Sequence, residues 1–220
     1  MAVVLRWHPG VWTRRAALLA TLVLAGFALN LQYSTQQVMA LLSGGVRLRT
    51  LTGPQFLALG VPVCVLLFGN VYCGTVCPFG ALQELLGELR PKRFATDPAP
   101  TTWRYGRALK YVLLLLLVIL FAVTRDYAVL GADPLITVFS ALRGPATVVL
   151  AAAVCLLAIV FRRFWCRNLC PAGAFLALLN GVRVFRRVLP PTRPGQCDLG
   201  VRAASELDCI QCDRCRHEGK

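Results

Sequence analysis

The segment CGTVCPFGALQELLG, residues 73–87, has a second copy later in the chain, CRNLCPAGAFLALLN, residues 166–180. Each copy contains two cysteines separated by three residues, followed by a proline, a spacer residue and a Gly-Ala pair. Each copy also follows a long apolar run. The repeated CxxxCP motif therefore predicts a duplicated chain, in which each half ends a hydrophobic segment with a pair of thiols.

The composition is typical of a membrane protein. Of the 220 residues, 57% are hydrophobic, and the mean hydropathy of +0.62 is higher than soluble domains of this size usually show. Four apolar runs approach the length that crosses a bilayer. They are residues 16–31, 54–71, 108–123 and 145–161. We therefore expect an all-α integral membrane protein with four transmembrane helices in a tandem two-helix repeat, in contact with the lipid bilayer.

The basic residues indicate an orientation. Of the 24 lysines and arginines, 20 precede the first run, lie between the second run and Lys110 at the start of the third, or follow the fourth. Because such residues accumulate in cytoplasmic segments, we expect a multi-pass protein of the cell inner (cytoplasmic) membrane, with both termini and both motifs in the cytoplasm. The net charge of +14 then reflects topology and anionic lipid, so no nucleic-acid partner is expected.

The duplication predicts the domain organisation. Residues 1–97 form a first membrane repeat, residues 98–190 a second, and residues 191–220 a small cytoplasmic tail. Because the halves share one orientation, the axis that relates them should run along the membrane normal. The outer loops contain two apolar pieces, VMALLSGGV and DPLITVFSAL, which we expect to form short re-entrant or interfacial helices.

The residues around each motif suggest its local chemistry. Cys77 and Cys170 both precede a proline, which disfavours helix at the cysteine and is suited to the first position of a new helix. A helix N-terminus favours a thiolate, and thiolates are nucleophiles, redox centres or metal ligands. The motifs thus predict a metal or second iron–sulfur site, shared between the halves, or two separate dithiols. The candidate ligands are Cys73, Cys77, Cys166 and Cys170.

The C-terminal segment CDLGVRAASELDCIQCDRC contains a second set of cysteines, which are Cys197, Cys209, Cys212 and Cys215. A C-x2-C-x2-C run with one remote cysteine is typical of [4Fe–4S] proteins, in which the last cysteine of a run can bind another cluster. This rule predicts a ferredoxin-like [4Fe–4S] site in the tail, completed by the remote Cys197. A zinc site that includes His217 is the alternative.

The segments CGTVCPFGALQE and CRNLCPAGA resemble the membrane core of the NosR/NapH/CcoG-type membrane polyferredoxins. The resemblance covers most of the chain from about Gly69 onward. It implies that the motifs lie at the cytoplasmic ends of transmembrane helices and are followed by ferredoxin-type clusters. It also implies that the chain supplies electrons to respiratory metalloenzymes or supports their maturation.

These observations predict an electron-transfer subunit rather than a stand-alone enzyme. It would pass electrons from a membrane or cytoplasmic donor to a respiratory or metalloenzyme partner, and its redox partners include a flavin-containing subunit. The alternatives are a metallocentre assembly factor that binds copper or zinc and a thiol–disulfide oxidoreductase. The two histidines, His8 and His217, lie outside every apolar run, so we expect no bis-histidine haem within this chain.

The topology can be tested with fusions to a phosphatase that is active only outside the cytoplasm. Fusions after Thr96 and after Gln196 should be inactive, whereas a fusion after Arg47 should be active. Activity at either of the first two positions would reverse the predicted orientation.

Overall fold

The structure is a computed structural model, and the described residues are 10–45, 53–89, 100–127, 130, 133–139, 144–182, 197, 201 and 206–212. Every regular element in these ranges is a helix, and they contain no β-strand. The predicted all-α class is therefore confirmed. Cys215, His217 and the predicted linker around Pro98 lie outside the described residues.

The helices follow the same order in both halves. The first half contains α1 (Val11–Ala28, π-helical from Thr21), α2 (Thr35–Leu42), α3 (Gly53–Phe68), a π-helical turn (Tyr72–Val76) and α4 (Pro78–Glu88). The second half contains α5 (Pro100–Thr124), α6 (Pro134–Phe139), α7 (Pro145–Val160), α8 (Phe164–Asn168) and α9 (Pro171–Val182). Each half thus has a long helix, a short outer helix, an apolar helix and a motif helix.

Two of the predicted spans form helices long and apolar enough to cross a membrane. They are α1, with 18 residues, and the 20-residue segment Tyr105–Thr124 of α5. The other two runs form α3 and α7, each 16 residues long, which is shorter than the ~20 residues of a typical span. Large apolar side chains on α5, such as Leu115 and Val123, are exposed and could contact lipid.

The two outer loops contain short helices, as expected. Val38 and Met39 of α2 are buried, and Phe139 of α6 packs edge-on against Phe27 of α1, with ring centroids 5.3 Å apart. The buried Asp133 carboxylate accepts hydrogen bonds from the backbone N–H and the hydroxyl of Thr35 at 3.2 and 2.8 Å. Residues of the second half therefore hold the first turn of α2.

The motif helices connect the two halves. Helix α4 packs against α1 of its own half and α7 of the other half, while α9 packs against α5 of its own half and α3 of the other. A twofold relation between the halves would produce this reciprocal pairing. The packing places the start of each motif helix in the interior.

A buried ion-pair network links the halves at the motifs. The Glu84 carboxylate on α4 accepts hydrogen bonds from Arg163 Nε at 2.5 Å and from Arg14 Nη2 at 2.7 Å. Glu84 is 1% exposed and Arg163 is fully buried. Burial alone would raise the pKa of the Glu84 carboxyl, but the Arg163 and Arg14 guanidiniums hold it below its ordinary value. The carboxylate is therefore ionised and paired on both sides.

Arg163 also binds the first motif directly. Its guanidinium donates hydrogen bonds to the carbonyls of Cys73 and Gly74 at 2.8 and 3.0 Å. Its backbone has a φ of +55°, a left-handed conformation that costs a non-glycine residue roughly 1–2 kcal/mol. The side-chain bonds offset this cost, so the turn before the second motif is fixed to the backbone of the first.

Replacing Glu84 by Gln should destabilise the protein strongly. The change leaves two buried or partly buried guanidiniums without a counter-charge, and breaking a buried pair costs about 3–5 kcal/mol. The control is Glu88→Gln on the same helix, which removes the more exposed pair with Arg15 and should cost less than about 1 kcal/mol. Denaturant unfolding in detergent measures both, and equal losses would contradict the role assigned to Glu84.

Candidate metal centre

The two second cysteines of the motifs lie at helix N-termini, as the prolines predict. Cys77 has an extended backbone and directly precedes α4, which begins at Pro78. Cys170 directly precedes α9, and its sulfur accepts a hydrogen bond from the Gly173 N–H at 3.2 Å. Each motif therefore ends in a sulfur that faces the first turn of a helix.

The four motif cysteines line one cavity of about 40 Å³. Cys77 and Cys170 are buried, while Cys73 and Cys166 are partly buried. Within the described ranges, no group of three or more Cys, His, Asp or Glu side chains is placed to hold a single metal ion. In an iron–sulfur cluster the four cysteines are shared among two or four iron atoms, so a set of four cysteines around one cavity fits a cluster.

The cavity environment keeps the thiols protonated in the absence of a metal. Burial raises the pKa of Cys73, and the neighbouring thiols of Cys77 and Cys170 raise it further. Burial also raises the pKa of Cys77, although the N–H groups of Gly80 and Phe79 at the start of α4 oppose it. The helix N-termini favour a thiolate, as expected, but desolvation outweighs them and the pKa of both Cys77 and Cys170 is raised. A cationic metal core would reverse this balance.

The cavity wall carries basic side chains. Arg107, Lys110 and Arg167 line it together with Asp208. The Arg163 charge also acts to lower the pKa of Cys73, Cys77 and Cys166. Positive charge around a cavity of four cysteines suits a cluster whose thiolate ligands make it anionic.

The C-terminal segment 206–212 packs beside this cavity. The Asp208 carboxylate accepts hydrogen bonds from Lys110 Nζ at 2.5 Å and from the Tyr111 hydroxyl at 2.8 Å. The Asn180 side chain on α9 donates to the carbonyl of Leu207 at 3.1 Å. Ile210 and Asp208 both line the cavity, so the tail forms part of its wall.

Two glycines at the first motif make room for the tail. At Gly74, a Cβ atom would overlap the Ile210 carbonyl oxygen, and at Gly69 it would overlap the Gln211 side chain. Gly69 also has a φ of +88°, which other residues rarely adopt. In the second motif Arg167 takes the place of Gly74, so this close approach of the tail is specific to the first motif.

The described tail cysteines lie close to the core. Burial raises the pKa of Cys212, Arg163 opposes this effect, and the neighbouring Cys197 raises the pKa as well. The charge of Cys197 thus acts on Cys212, although 14 residues lie between them in the sequence. All nine cysteines in the described part of the chain are free thiols.

Sequence reasoning missed the charged residues that organise this centre. Glu84 follows Cys77 by seven residues inside an otherwise largely apolar motif helix, and Arg163 precedes Cys166 by three. An isolated carboxylate in a buried helix face requires a cationic partner, which is the signal that could have revealed the pair. The roles of Asn180 and Gly74 carry no comparable signal, because they depend on where the tail docks.

Comparisons with known proteins match the two motif regions of the chain. The 4Fe–4S binding domain family matches residues 52–96 and 143–190, which contain both CxxxCP motifs and none of the tail cysteines. Together with its apolar helices, the match defines the chain as a membrane protein with a 4Fe–4S binding domain. No solved structure matches the chain.

Three curated proteins are similar in sequence to this chain. NirI of Paracoccus denitrificans is 32% identical over 95% of this chain and 35% of its own length. NosR of Pseudomonas aeruginosa is 38% identical over 69% of this chain and 23% of its own. YccM of Escherichia coli, whose name assigns it to electron transport, is 26% identical over 70% of this chain and 42% of its own.

The 4Fe–4S binding domain and these relatives support the NosR/NapH-type family, as the motifs suggested. The chain spans about a third of the length of NirI.

Replacing Gly74 by Ala should displace the tail from the first motif. The added methyl overlaps the Ile210 carbonyl, and overpacking of this kind costs about 1–3 kcal/mol. Hydrogen–deuterium exchange of residues 206–212 should accelerate by roughly tenfold or more. The control is Gly60→Ala, whose Cβ meets only Phe56 at an ordinary 3.8 Å. Unchanged exchange in Gly74→Ala would contradict the docking of the tail.

Proposed function

We propose that this chain is an electron-transfer protein that crosses the inner (cytoplasmic) membrane several times, with both termini in the cytoplasm. Ion pairs support a position on one side of the membrane for the start of α1, the start of α5, the end of the first motif helix and the tail. Arg15 at the start of α1 pairs with Glu88 on the first motif helix at 2.8 Å. Arg107 near the start of α5 lies 3.9 Å from Glu206 in the tail. The basic helix starts, the end of the first motif helix and the tail therefore share one end of the bundle, which the positive-inside rule assigns to the cytoplasm.

Two iron–sulfur centres would carry the electrons. The first is a [4Fe–4S] cluster held by Cys197, Cys209, Cys212 and Cys215 in the tail. The second is an iron–sulfur cluster held by Cys73, Cys77, Cys166 and Cys170 between the halves. The observation that carries this proposal is that cysteines from both halves line one cavity. Bound clusters supply one-electron redox chemistry.

The protein residues around the two centres would keep them close together. Asp208 and Ile210 of the tail line the motif cavity, and Arg163 influences the ionisation of both Cys166 and Cys212. The Lys110–Asp208 pair and the Asn180 hydrogen bonds hold the tail in this position. Electrons could then pass between the tail and the membrane core within one chain.

The two iron–sulfur centres would each exchange electrons with a different partner. A membrane or cytoplasmic donor would reduce one centre, and a respiratory or metalloenzyme partner would take electrons from the other. A flavin-containing subunit is one such redox partner, because flavins exchange single electrons with iron–sulfur clusters. In this role the chain is a subunit that conducts electrons rather than an enzyme that transforms a substrate.

The thiols are poorly suited to disulfide exchange. That reaction requires an accessible thiolate, whereas Cys77 and Cys170 are 7% and 6% exposed. Burial also raises the pKa of both thiols. The metal that the purified protein contains distinguishes a copper or zinc assembly role from electron transfer.

Metal and sulfide analysis with EPR of the anaerobically purified full chain tests the function. We expect iron with acid-labile sulfide. Cys73→Ser and Cys170→Ser should each lose one signal, and Cys197→Ser should lose or convert the other. Cys64→Ser is the control, because Cys64 is an exposed thiol on α3, and it should retain both signals.

Other outcomes identify the alternatives. Zinc or copper without sulfide would support metal handling, and a metal-free protein would support dithiol chemistry. An unchanged spectrum and iron content in Cys197→Ser would show that the tail cluster does not use the remote cysteine.

A further inference from the structure

The hydroxyl group of Tyr33 is buried beside the motif cysteines without a hydrogen-bond partner among the described residues. Tyr33 lies between α1 and α2, is 1% exposed, and lines the same cavity as the four cysteines. Its hydroxyl oxygen makes no hydrogen bond with the described residues. Leaving such a group unsatisfied costs about 1–3 kcal/mol, so an unpaired hydroxyl at this position indicates an acceptor that the described part of the chain does not supply.

The position of Tyr33 is well defined by its neighbours. Its backbone N–H donates to the Tyr72 hydroxyl at 2.8 Å, and that hydroxyl donates to the Leu31 carbonyl at 3.0 Å. The two tyrosine rings pack edge-on, with centroids 6.1 Å apart. Because Tyr72 directly precedes Cys73, these contacts fix Tyr33 relative to the first motif. The Tyr72 hydroxyl accepts one hydrogen bond and donates another, whereas the Tyr33 hydroxyl makes none with the described residues.

Tyr33 remains a donor at physiological pH. A tyrosine hydroxyl has an ordinary pKa of about 10, so it keeps its proton and can donate a hydrogen bond. Lys110 lines the same cavity, but its ammonium already donates a hydrogen bond to the Asp208 carboxylate. The Tyr33 side chain and the four motif cysteines line the same cavity, so its O–H is a neutral donor at the site that the proposed cluster would occupy.

We propose that Tyr33 donates a hydrogen bond to a sulfur atom of the cluster bound by the four motif cysteines, and that this bond raises the reduction potential of the cluster. This inference rests on the function proposed above for those cysteines. Reduction adds one electron to the cluster and increases the negative charge on its sulfurs, so a donated hydrogen bond stabilises the reduced form more than the oxidised form. The proton stays on the Tyr33 oxygen in both states.

The second half of the chain provides a matched control. Tyr127 occupies the corresponding place after the long helix α5, but it is 45% exposed and packs against Phe121 at the outer end of that helix. Tyr127→Phe removes the same oxygen atom away from the cavity. It should leave the cluster unchanged.

The test measures midpoint potentials by EPR-monitored redox titration of the full chain. The signal of the motif cluster is first identified as the one lost in Cys73→Ser. In Tyr33→Phe its midpoint potential should become more negative at unchanged iron content, while Tyr127→Phe should match the wild type. An unchanged midpoint potential in Tyr33→Phe, with full iron content, would overturn the proposal.

A second variant decides the result if Tyr33→Phe fails to retain the cluster. Incorporation of 3-fluorotyrosine at position 33 preserves the ring and the hydroxyl but makes the hydroxyl a stronger donor. The midpoint potential should then become more positive, and an unchanged value would overturn the proposal. If no EPR signal depends on Cys73, the motif cysteines hold no such cluster, and the proposed function fails at this site together with the role of Tyr33.

Discussion

The buried ion pair between Arg163 and Glu84 determines how the two halves meet. Glu84 belongs to the first motif helix, Arg163 belongs to the turn before the second motif, and the two side chains are joined at 2.5 Å. Neither charge can be buried alone, because desolvating an unpaired charge is prohibitively costly. Arg163 also binds the backbone carbonyls of the first motif. Both motifs are therefore held in one layer of the interior.

The motif cysteines gathered at one buried cavity can ionise only if positive charge lies nearby. Four thiolates in one buried cavity would repel one another, and burial already favours their neutral forms. The basic residues of the cavity wall and Arg163 reduce that penalty, and a metal core would remove more of it. The tail then covers the first motif through Gly74 and the Asp208 contacts. The charge network, the cavity and the tail thus form one system around the proposed clusters.

Local chemistry was predictable from sequence, and long-range pairing was not. The helix starts after Cys77 and Cys170 follow from the fixed φ and missing N–H of proline, which act within one or two residues. The duplication predicted either a site shared by the motif cysteines or two separate dithiols, and the shared site stays a prediction, although all four cysteines line one cavity. The Arg163–Glu84 pair joins positions 79 residues apart and depends on how the helices pack. The sequence did not show how strongly burial opposes ionisation of the motif cysteines, because the extent of their burial is a tertiary property.

An experimental structure of the anaerobically purified full chain, with anomalous scattering measured at the iron edge, tests the shared centre most directly. The expected result is iron within the cavity, ligated by Cys73, Cys77, Cys166 and Cys170. Sulfur atoms of Cys77 and Cys170 that lie far apart, with no metal between them, would contradict a centre shared by the two halves.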